Sequence, residues 1–344
     1  MPTLRAMAAT TPAPAKTRFL FAMCCVFFLI SLLCCVCGCA PLPYMTRGGP
    51  VLFQPDTGRI LPPHFPVAAF HAKMRPTPVR RDASRRCIMQ RITRDKALKY
   101  EFNFRDTPLL RVKQGESFVV ESWDAGSGII KSPADYKKLR SSPEWTSEPI
   151  KGNPIAGPIY VDGAEKGDLL EVTLEAIEPL DYGWTLFDRD IGPLGDSSHW
   201  SALNKGTISI IKHEKGPSGT TRDGRGILND RHSWPLSPMI GTIGCAPERE
   251  VETSAVGQGP WGGNLDMRDV KEGTKVLMNV YHKGALLYIG DPHGSQGDTE
   301  YYGAADETAA NITATARVIK NKRIPFLRLI KPDSIVSVYS FRPL

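Results

Sequence analysis

The sequence predicts a mainly β fold with a few short helical insertions. From Tyr100 onward, short apolar or alternating segments are separated by turn residues, as is typical of all-β domains. One element occurs three times, and in each copy a polar turn with a glycine precedes a strand; the glycine allows a positive φ. The copies predict repeated hairpins in a sandwich or barrel: VKQGE before SFVVES (112–122), AEKGD before LLEVTL (164–174) and VKEGT before KVLMNV (270–280).

The length and charge of the chain exclude little except nucleic acid binding. The 344 residues are enough for one large domain or for two to three smaller ones. The formal net charge is +7, but residues 1–38 hold three of the 43 basic residues and none of the 36 acidic ones. The other basic residues are scattered and are not interleaved with aromatic residues. The charge pattern therefore predicts no nucleic acid partner.

Residues 1–38 are predicted to be an export signal of the lipoprotein type. Basic residues precede the uncharged segment 19–37, and the sequence Val-Cys-Gly-Cys follows at 36–39. This ending resembles a bacterial lipobox, in which Cys39 would be the lipidated first residue. The alternative is an uncleaved anchor, since the apolar segment is long enough to cross a bilayer. Both interpretations predict an exported bacterial protein tethered to a membrane, on its periplasmic or cell-surface face.

The rest of the chain divides into an arm and a folded domain. Residues 39–95 are rich in Pro, Gly and Arg and predict a tether with an irregular arm. Residues 96–335 predict the main folded domain, either as one unit or as two to three interleaved subdomains. Within it, Ser132 as N-cap and Pro133 at the first helical position predict a short helix over 132–140.

Two cysteines follow Cys39 in the chain, and neither carries a recognisable motif. Cys87 and Cys245 could pair in an oxidising compartment, but the sequence does not place them close together. Cys245 ends an apolar Gly-rich segment, which favours a buried, inert thiol over a nucleophile. The sequence contains no Gly-x-Ser-x-Gly elbow, no P-loop and no GxGxxG pattern directly after a predicted strand.

The richest polar cluster is the segment GDPHGSQGDTE (290–300), which follows the apolar segment ALLYIG. Loops at strand ends are common places for active sites because the strands hold them rigidly. Mixed histidine and carboxylate ligands suit zinc or a related divalent ion, whereas carboxylates alone would suit calcium. The structural alternative is a turn whose acids cap backbone N–H groups. The ligand-type residues are Asp291, His293, Gln296, Asp298 and Glu300.

Two further segments predict contributions to the same site. In GPWGGNLD (259–266), Gly262 and Gly263 allow close approach of backbone to a ligand, and Asn264 and Asp266 supply an amide and a carboxylate. This segment and the 290–300 segment flank the apolar segments VLMNVY and ALLYIG, which predict a strand pair. Asp124 follows SFVVES and fits a cluster ligand or the start of a turn equally well.

Five blocks in this order resemble the acetamidase/formamidase family, and together they cover about residues 100 to 330. The first two are VKQGESFVVESWDA and AGPIYVDGAEKGDLLEVTLEAIEP, and the last three are PLSPMIGTIGCAP, GPWGGNLDMRDVKEGT and GALLYIGDPHGSQGDTE. The resemblance implies a jelly-roll-like β-sandwich with smaller subdomains, a homo-oligomer (a dimer or larger), and a divalent metal, usually taken as zinc. It also implies hydrolysis of small carboxamides such as formamide and acetamide to the acid and ammonia.

The resemblance places the family's acidic positions on residues of the clusters above. His293, Asp266 and Asp124 or Asp291 are expected to hold the metal, and Glu300 is expected to act as general base. Asp266 is thus both ligand and catalytic residue, while Gly262, Gly263 and Asn264 are expected to contact the substrate carbonyl and the oxyanion.

The chain departs from the family pattern in two places. The segment KYEFNFRD (99–106) has no histidine where many members carry one, and Trp261 stands where many have histidine before Gly-Gly-Asn. These departures motivate an alternative: an exported, non-catalytic binding lipoprotein on the same scaffold. A calcium-stabilised sandwich that binds sugar fits the Asp/Gly loops, but the family blocks give it no support.

Overall fold

The computed structural model describes residues 89–189, 191 and 206–338. The predictions for residues 1–38, Cys39, Cys87 and most of the arm concern residues outside this part. The described strands are β1 (Gln90–Ile92), β2 (Glu101–Phe102), β3 (Leu110–Val112), β4 (Phe118–Ser122), β5 (Ile155–Val161), β6 (Leu169–Pro179), β7 (Tyr182–Phe187), β8 (Thr207–Glu214), β9 (Arg225–Asn229), β10 (His232–Pro235), β11 (Met239–Cys245), β12 (Glu252–Thr253), β13 (Gln258–Gly259), β14 (Gly262–Asn264), β15 (Lys275–Asn279), β16 (Leu287–His293), β17 (Ala310–Ile319), β18 (Leu327–Ile330) and β19 (Ile335–Val338). The described helical segments are α1 (Tyr136–Arg140) and the 3-10 turns Arg94–Lys96, Pro133–Asp135, Thr221–Asp223 and Asp298–Glu300.

The strands form four open sheets. The largest has the order β1-β4-β17-β6-β15-β18-β19, and the second has the order β13-β14-β11-β16-β5-β3. A four-stranded sheet, β10-β9-β8-β7, and the pair β12-β2 complete the described part. The pairs β1-β4 and β3-β5 are parallel, and the other described strand pairs are antiparallel. The prediction of a mainly β fold with few short helices is confirmed, while the jelly-roll order stays a prediction.

The seven-stranded and six-stranded sheets contribute to one hydrophobic core. Phe118 of β4 and Ile312 of β17 enter it from the first sheet, and Ile243 of β11 and Leu287 of β16 enter it from the second. All four are fully buried. A strand buried on one face alternates apolar and polar residues, as β17 does, whereas β11 and β16 are buried throughout. The six-stranded sheet is therefore covered on both faces at its centre, where the polar cluster lies.

The three repeated glycine turns connect these two sheets and do not close hairpins. They lead from β3 to β4, from β5 to β6 and from β14 to β15, in each case from the six-stranded to the seven-stranded sheet. The positive φ values predicted for the glycines are confirmed at Gly115 (78°), Gly167 (96°) and Gly273 (83°). The hairpin prediction was wrong because a local turn signal does not show which strand a segment pairs with.

The strand pair predicted from VLMNVY and ALLYIG is also divided between the sheets. β15 pairs with β6 and β18, whereas β16 pairs with β11 and β5. The short helix was predicted correctly: α1 follows a 3-10 turn, and Ser132 and Asp135 form a capping box at its start. Among the described residues, no helix is long and apolar enough to cross a membrane.

Candidate active site

Four carboxylates and one imidazole meet beside the six-stranded sheet. Asp291 and His293 belong to β16 itself, so the predicted loop begins later than the sequence indicated. Asp266 follows β14, and Glu300 ends a 3-10 turn. Glu307 precedes β17 and forms an isolated β-bridge with His293. Two groups of potential metal ligands share the histidine, and the ligand atoms within each lie within 4.8 Å of one another: Asp266, His293 and Glu300, and Asp291, His293 and Glu307.

The imidazole of His293 is oriented by the amide of Gln296. The Gln296 side chain donates from Nε2 to the carbonyl oxygen of Asp266, which leaves its Oε1 as the acceptor 2.8 Å from His293 Nδ1. Nδ1 therefore carries the proton in the neutral ring, and Nε2 presents a lone pair to the carboxylates. A histidine whose other nitrogen is fixed by a hydrogen bond is the usual arrangement for a metal ligand.

The carboxylate oxygens that face His293 have no hydrogen-bond partner among the described residues. His293 Nε2 lies 3.5 Å from Asp291 Oδ1 and 3.3 Å from Glu307 Oε2. These two oxygens and Asp266 Oδ1 are buried and unpartnered. Buried polar atoms of a native fold normally have partners, so a set of unpaired acceptors around one nitrogen indicates a missing donor or cation. The donor set of carboxylates and one imidazole fits a divalent metal ion.

The second oxygen of Asp291 is held by side chains that surround the cluster. Asn153 Nδ2 donates to Asp291 Oδ2 over 2.8 Å, and the Thr242 hydroxyl lies 3.2 Å from the same oxygen. A Cβ atom at Gly241 would come within 2.5 Å of Asp291 Oδ2 and 2.6 Å of Asp266 Oδ1. Gly241 therefore leaves the space in which the two acids approach each other.

Three of the four acids adopt left-handed backbone conformations, which residues with a side chain rarely do. The φ values are 44° at Asp266, 56° at Asp291 and 44° at Glu300. Such conformations cost about 1–3 kcal/mol each and persist only where the surrounding structure holds them. The backbone that carries this cluster of ionisable groups is thus strained.

Burial and the neighbouring charges raise the pKa values of two of these acids, Asp266 and Glu300. Burial raises the pKa of Asp266 to about 7, and the neighbouring Asp291 acts in the same direction. Burial likewise raises the pKa of Glu300 to about 10, although His293 opposes it. The pKa of His293 is raised, because Glu307 and Asp291 outweigh the lowering effect of burial. These are the directions expected where several acids share one buried site.

Asp124, which the sequence predicted as a metal ligand, lies outside both ligand groups. Its carboxylate accepts hydrogen bonds from the backbone N–H groups of Gly126 (2.9 Å) and Gly128 (3.1 Å) and from Trp184 Nε1 (3.2 Å). Its oxygens are therefore occupied by donors, and it closes the turn after β4. Burial raises the pKa of Asp124, and these hydrogen bonds act against that shift. The turn alternative describes this residue better than the ligand alternative.

Gly262 and Gly263 lie between strands β13 and β11. A Cβ atom at Gly262 would come within 2.3 Å of the Ile243 carbonyl oxygen, and one at Gly263 within 2.0 Å of the Gly257 carbonyl oxygen. Close packing of three strands therefore explains both glycines, and their oxyanion role stays a prediction. Asn264 is buried, and its Oδ1 accepts a hydrogen bond from Thr242 over 2.7 Å.

The two departures from the family pattern contact each other. Phe102, from the segment 99–106, packs edge-to-face on Trp261 with ring centroids 4.7 Å apart, and Tyr288 joins the same cluster. Neither Phe102 nor Trp261 belongs to the ligand groups around His293. The segment 99–106 and Trp261 thus contribute to one buried aromatic cluster.

The sequence reasoning missed Glu307, Asn153 and Trp184. Glu307 precedes an alternating strand in the segment DETAANI, and its acidic pair with Asp306 is the signal that could have identified it. The asparagine and the tryptophan carry no such signal, because only the fold brings them to the cluster. Cys245 has a free, buried thiol, as its sequence context predicted, and burial raises its pKa to about 12.

Comparisons with known proteins identify the family to which this chain belongs. The model of the acetamidase/formamidase family matches residues 104–258 and 254–340, so the chain belongs to that family. An acetamidase structure from Yersinia enterocolitica is 29% identical, with a TM-score of 0.63 over 74% of this chain and 75% of that one. An acetamidase structure from Bacillus halodurans is 29% identical, with a TM-score of 0.60 over 70% and 74%.

Among curated sequences, a formamidase from Methylophilus methylotrophus is 24% identical over 63% of this chain and 63% of that protein. The chain spans about three fifths of the length of the curated relatives it matches. The family is therefore shown over the β domain, and that domain contains the whole cluster around His293.

Proposed function

We propose that this protein hydrolyses the C–N bond of small linear amides to a carboxylate and ammonia. The observation that carries the proposal is the set of buried, unpartnered carboxylate oxygens around His293 Nε2. A cavity lined by Glu300 and Glu307 lies beside them and gives a substrate access to these groups. Family membership, and the acetamidase and formamidase names of its relatives, support amide hydrolysis.

We further infer that the cluster holds a divalent cation, with zinc first and calcium as the alternative. Asp291, His293 and Glu307 form the group that would bind it, and Asp266 belongs to the second group around the same histidine. When bound, such an ion polarises an amide carbonyl and lowers the pKa of water. The side chains of Asn153 and Gln296 hold Asp291 and His293 in place through the hydrogen bonds described above.

Asp266 and Glu300 are the proton-transfer pair in this proposal. Burial raises the pKa values of both acids, and a hydrogen bond with Glu300 acts in the opposite direction on Asp266. Two carboxyl groups whose oxygens lie within 4.8 Å of each other share a proton more readily than both ionise. The ionised partner accepts the proton of the attacking water, and the protonated partner donates to the leaving nitrogen as the C–N bond breaks.

The test combines metal content with ammonia release. Purified full-length protein, His293→Ala and Glu300→Gln are assayed with acetamide, formamide and larger amides, and bound metal is measured by mass spectrometry. We expect about one metal per chain in the wild type, loss of metal in His293→Ala, and retained metal with at least ~100-fold slower turnover in Glu300→Gln. Glu116→Gln, at an exposed turn, is the matched control.

Equal rates in wild type and both site variants would refute the assignment. Metal and amide binding without ammonia release would support the non-catalytic binding protein that the two departures from the family pattern suggested.

We also propose that the chain is an exported lipoprotein that assembles as a homo-oligomer. The leader sequence and the small-residue-then-Cys ending at Cys39 support the first point, and the family resemblance supports the second. Labelled palmitate should enter the wild-type protein but not Cys39→Ala, whereas an uncleaved anchor would leave both unlabelled. Light scattering of the purified protein gives the oligomeric state.

A further inference from the structure

The cavity beside the cluster is larger than formamide or acetamide requires. Its volume is about 240 Å³, and Glu300 and Glu307 lie in its wall. That volume corresponds to about eight water-sized spaces. A substrate with a one- or two-carbon acyl group would leave most of it unfilled.

The cavity is lined by polar residues and by six apolar residues, which form what we call the apolar wall. Among the polar residues, Asn153 and Asn264 connect to Asp291 directly or through Thr242. The apolar wall belongs to one hydrophobic cluster, so its members also contact each other behind the cavity surface. These members are Ala125, Trp145, Trp184, Leu186, Ile191 and Ala304.

Trp184, a member of this wall, is held in one position. Its indole Nε1 donates to Asp124 Oδ1 over 3.2 Å, and its backbone forms a two-way bridge with Glu307. A Cβ atom at Gly126 would come within 3.0 Å of the ring, so the turn after β4 also packs against it. The position of Trp184 is therefore fixed before a substrate binds. Glu307 contacts His293 through its side chain and holds Trp184 through its backbone.

We propose that the site prefers amides whose acyl group is a compact branched or cyclic hydrocarbon of about four to six carbons. This inference rests on the proposed amide hydrolysis and names the substrate class of the same site. The amide group faces Glu300, Glu307 and the asparagines, and the hydrocarbon packs on Trp184 and its neighbours. Because the wall is rigid and apolar, each added methylene that it buries raises kcat/KM by about fourfold.

The test is a substrate series with one enzyme preparation. Ammonia release is measured for formamide, acetamide, isobutyramide and cyclopentanecarboxamide. We expect kcat/KM for isobutyramide to exceed that for acetamide by at least ~10-fold. If formamide or acetamide is the best substrate while the enzyme is active, the inference is wrong and the proposed function stands.

A cavity-filling variant tests the wall itself. Ala304→Leu places a larger side chain in the cavity, and Ala134→Leu, at an exposed position on the 3-10 turn before α1, is the matched control. The ratio of kcat/KM for isobutyramide over acetamide should fall at least ~5-fold in Ala304→Leu and stay unchanged in Ala134→Leu. Because the ratio is taken within each preparation, partial misfolding of a variant does not affect it. An unchanged ratio in Ala304→Leu would overturn the assignment of the wall.

Binding gives a readout that is independent of turnover. Calorimetry with acetamide and isobutyramide should show at least ~10-fold tighter binding of isobutyramide, and Ala304→Leu should remove the difference. If no amide is hydrolysed but this preference is found, the proposed function fails and the apolar acyl site stands. If neither amide binds and none is hydrolysed, both fail.

Discussion

Asp124→Asn separates two roles that the sequence alone could not distinguish. As a metal ligand, Asp124 would be essential for metal content; as the structure has it, the carboxylate holds a turn and the indole of Trp184. The asparagine has nearly the same size and shape, so the substitution changes hydrogen bonding and charge and leaves packing intact. We expect a less stable protein that retains its metal.

The magnitude follows from the three donors around this residue. Asn offers one acceptor oxygen, so its NH₂ group faces at least one of the N–H groups of Gly126, Gly128 or Trp184. A buried donor left unpaired costs about 1–3 kcal/mol, and the unpaired NH₂ group adds a similar cost. The free energy of unfolding should therefore fall by about 2–5 kcal/mol. For a domain of this size that lowers Tm by at least ~5 °C.

The assay is thermal unfolding with metal analysis of the same samples. Asp291→Asn is the positive control for metal loss, and Asp95→Asn, at an exposed position, is the control for removal of one negative charge. The reasoning is refuted if Asp124→Asn loses its metal to the same extent as Asp291→Asn while its Tm stays within 1 °C of the control's (about 0.3 kcal/mol).

Three further predictions concern other parts of the molecule. Glu307→Gln should weaken zinc binding at least ~100-fold in a chelator competition, because removal of one partner from a buried charge cluster costs about 3–5 kcal/mol; Glu116→Gln should bind like the wild type. Asp168 accepts hydrogen bonds from Lys320 and two backbone N–H groups, which outweigh desolvation and lower its pKa. The contribution of Asp168 to the free energy of unfolding is therefore present above the unfolded pKa of about 3.9 and is lost as the pH falls through the lower folded pKa. In urea unfolding, the difference in this free energy between wild type and Asp168→Asn should shrink from pH 7 to pH 2.5. Cys245, whose pKa burial raises to about 12, should resist iodoacetamide at pH 8 in the folded protein, as peptide mass spectrometry can check, and rapid labelling would contradict its burial.

The parts of the fold that depend on one residue's backbone could be predicted from the sequence. Gly115, Gly167 and Gly273 adopt positive φ because their turns require it, and this requirement is visible in each local segment. The partner of the following strand is not visible there. Each turn crosses between two sheets, since the apolar residues on both sides of it have to reach the shared core.

The site follows the same division between local and non-local information. Asp266, Asp291, His293 and Glu300 were predicted together, and the structure brings them together. Asp266 follows β14, Asp291 and His293 end β16, and both strands pair with β11. Glu307 joins them through the bridge with His293, which no spacing in the sequence indicates. Asp124 shows the reverse case, since an acid after a strand looks the same whether it binds a metal or backbone N–H groups.

The cluster combines two costs to folding that a bound cation would offset together. Asp266, Asp291 and Glu300 hold left-handed backbone conformations, and the same carboxyls are brought together in a buried site. Neither cost is relieved by the described side chains, because the oxygens facing His293 have no partner among them. A fold retains such strain where the arrangement itself is needed. A divalent cation supplies the missing partner for those oxygens and removes the repulsion between the carboxylates, so metal binding and folding of this region are expected to be coupled.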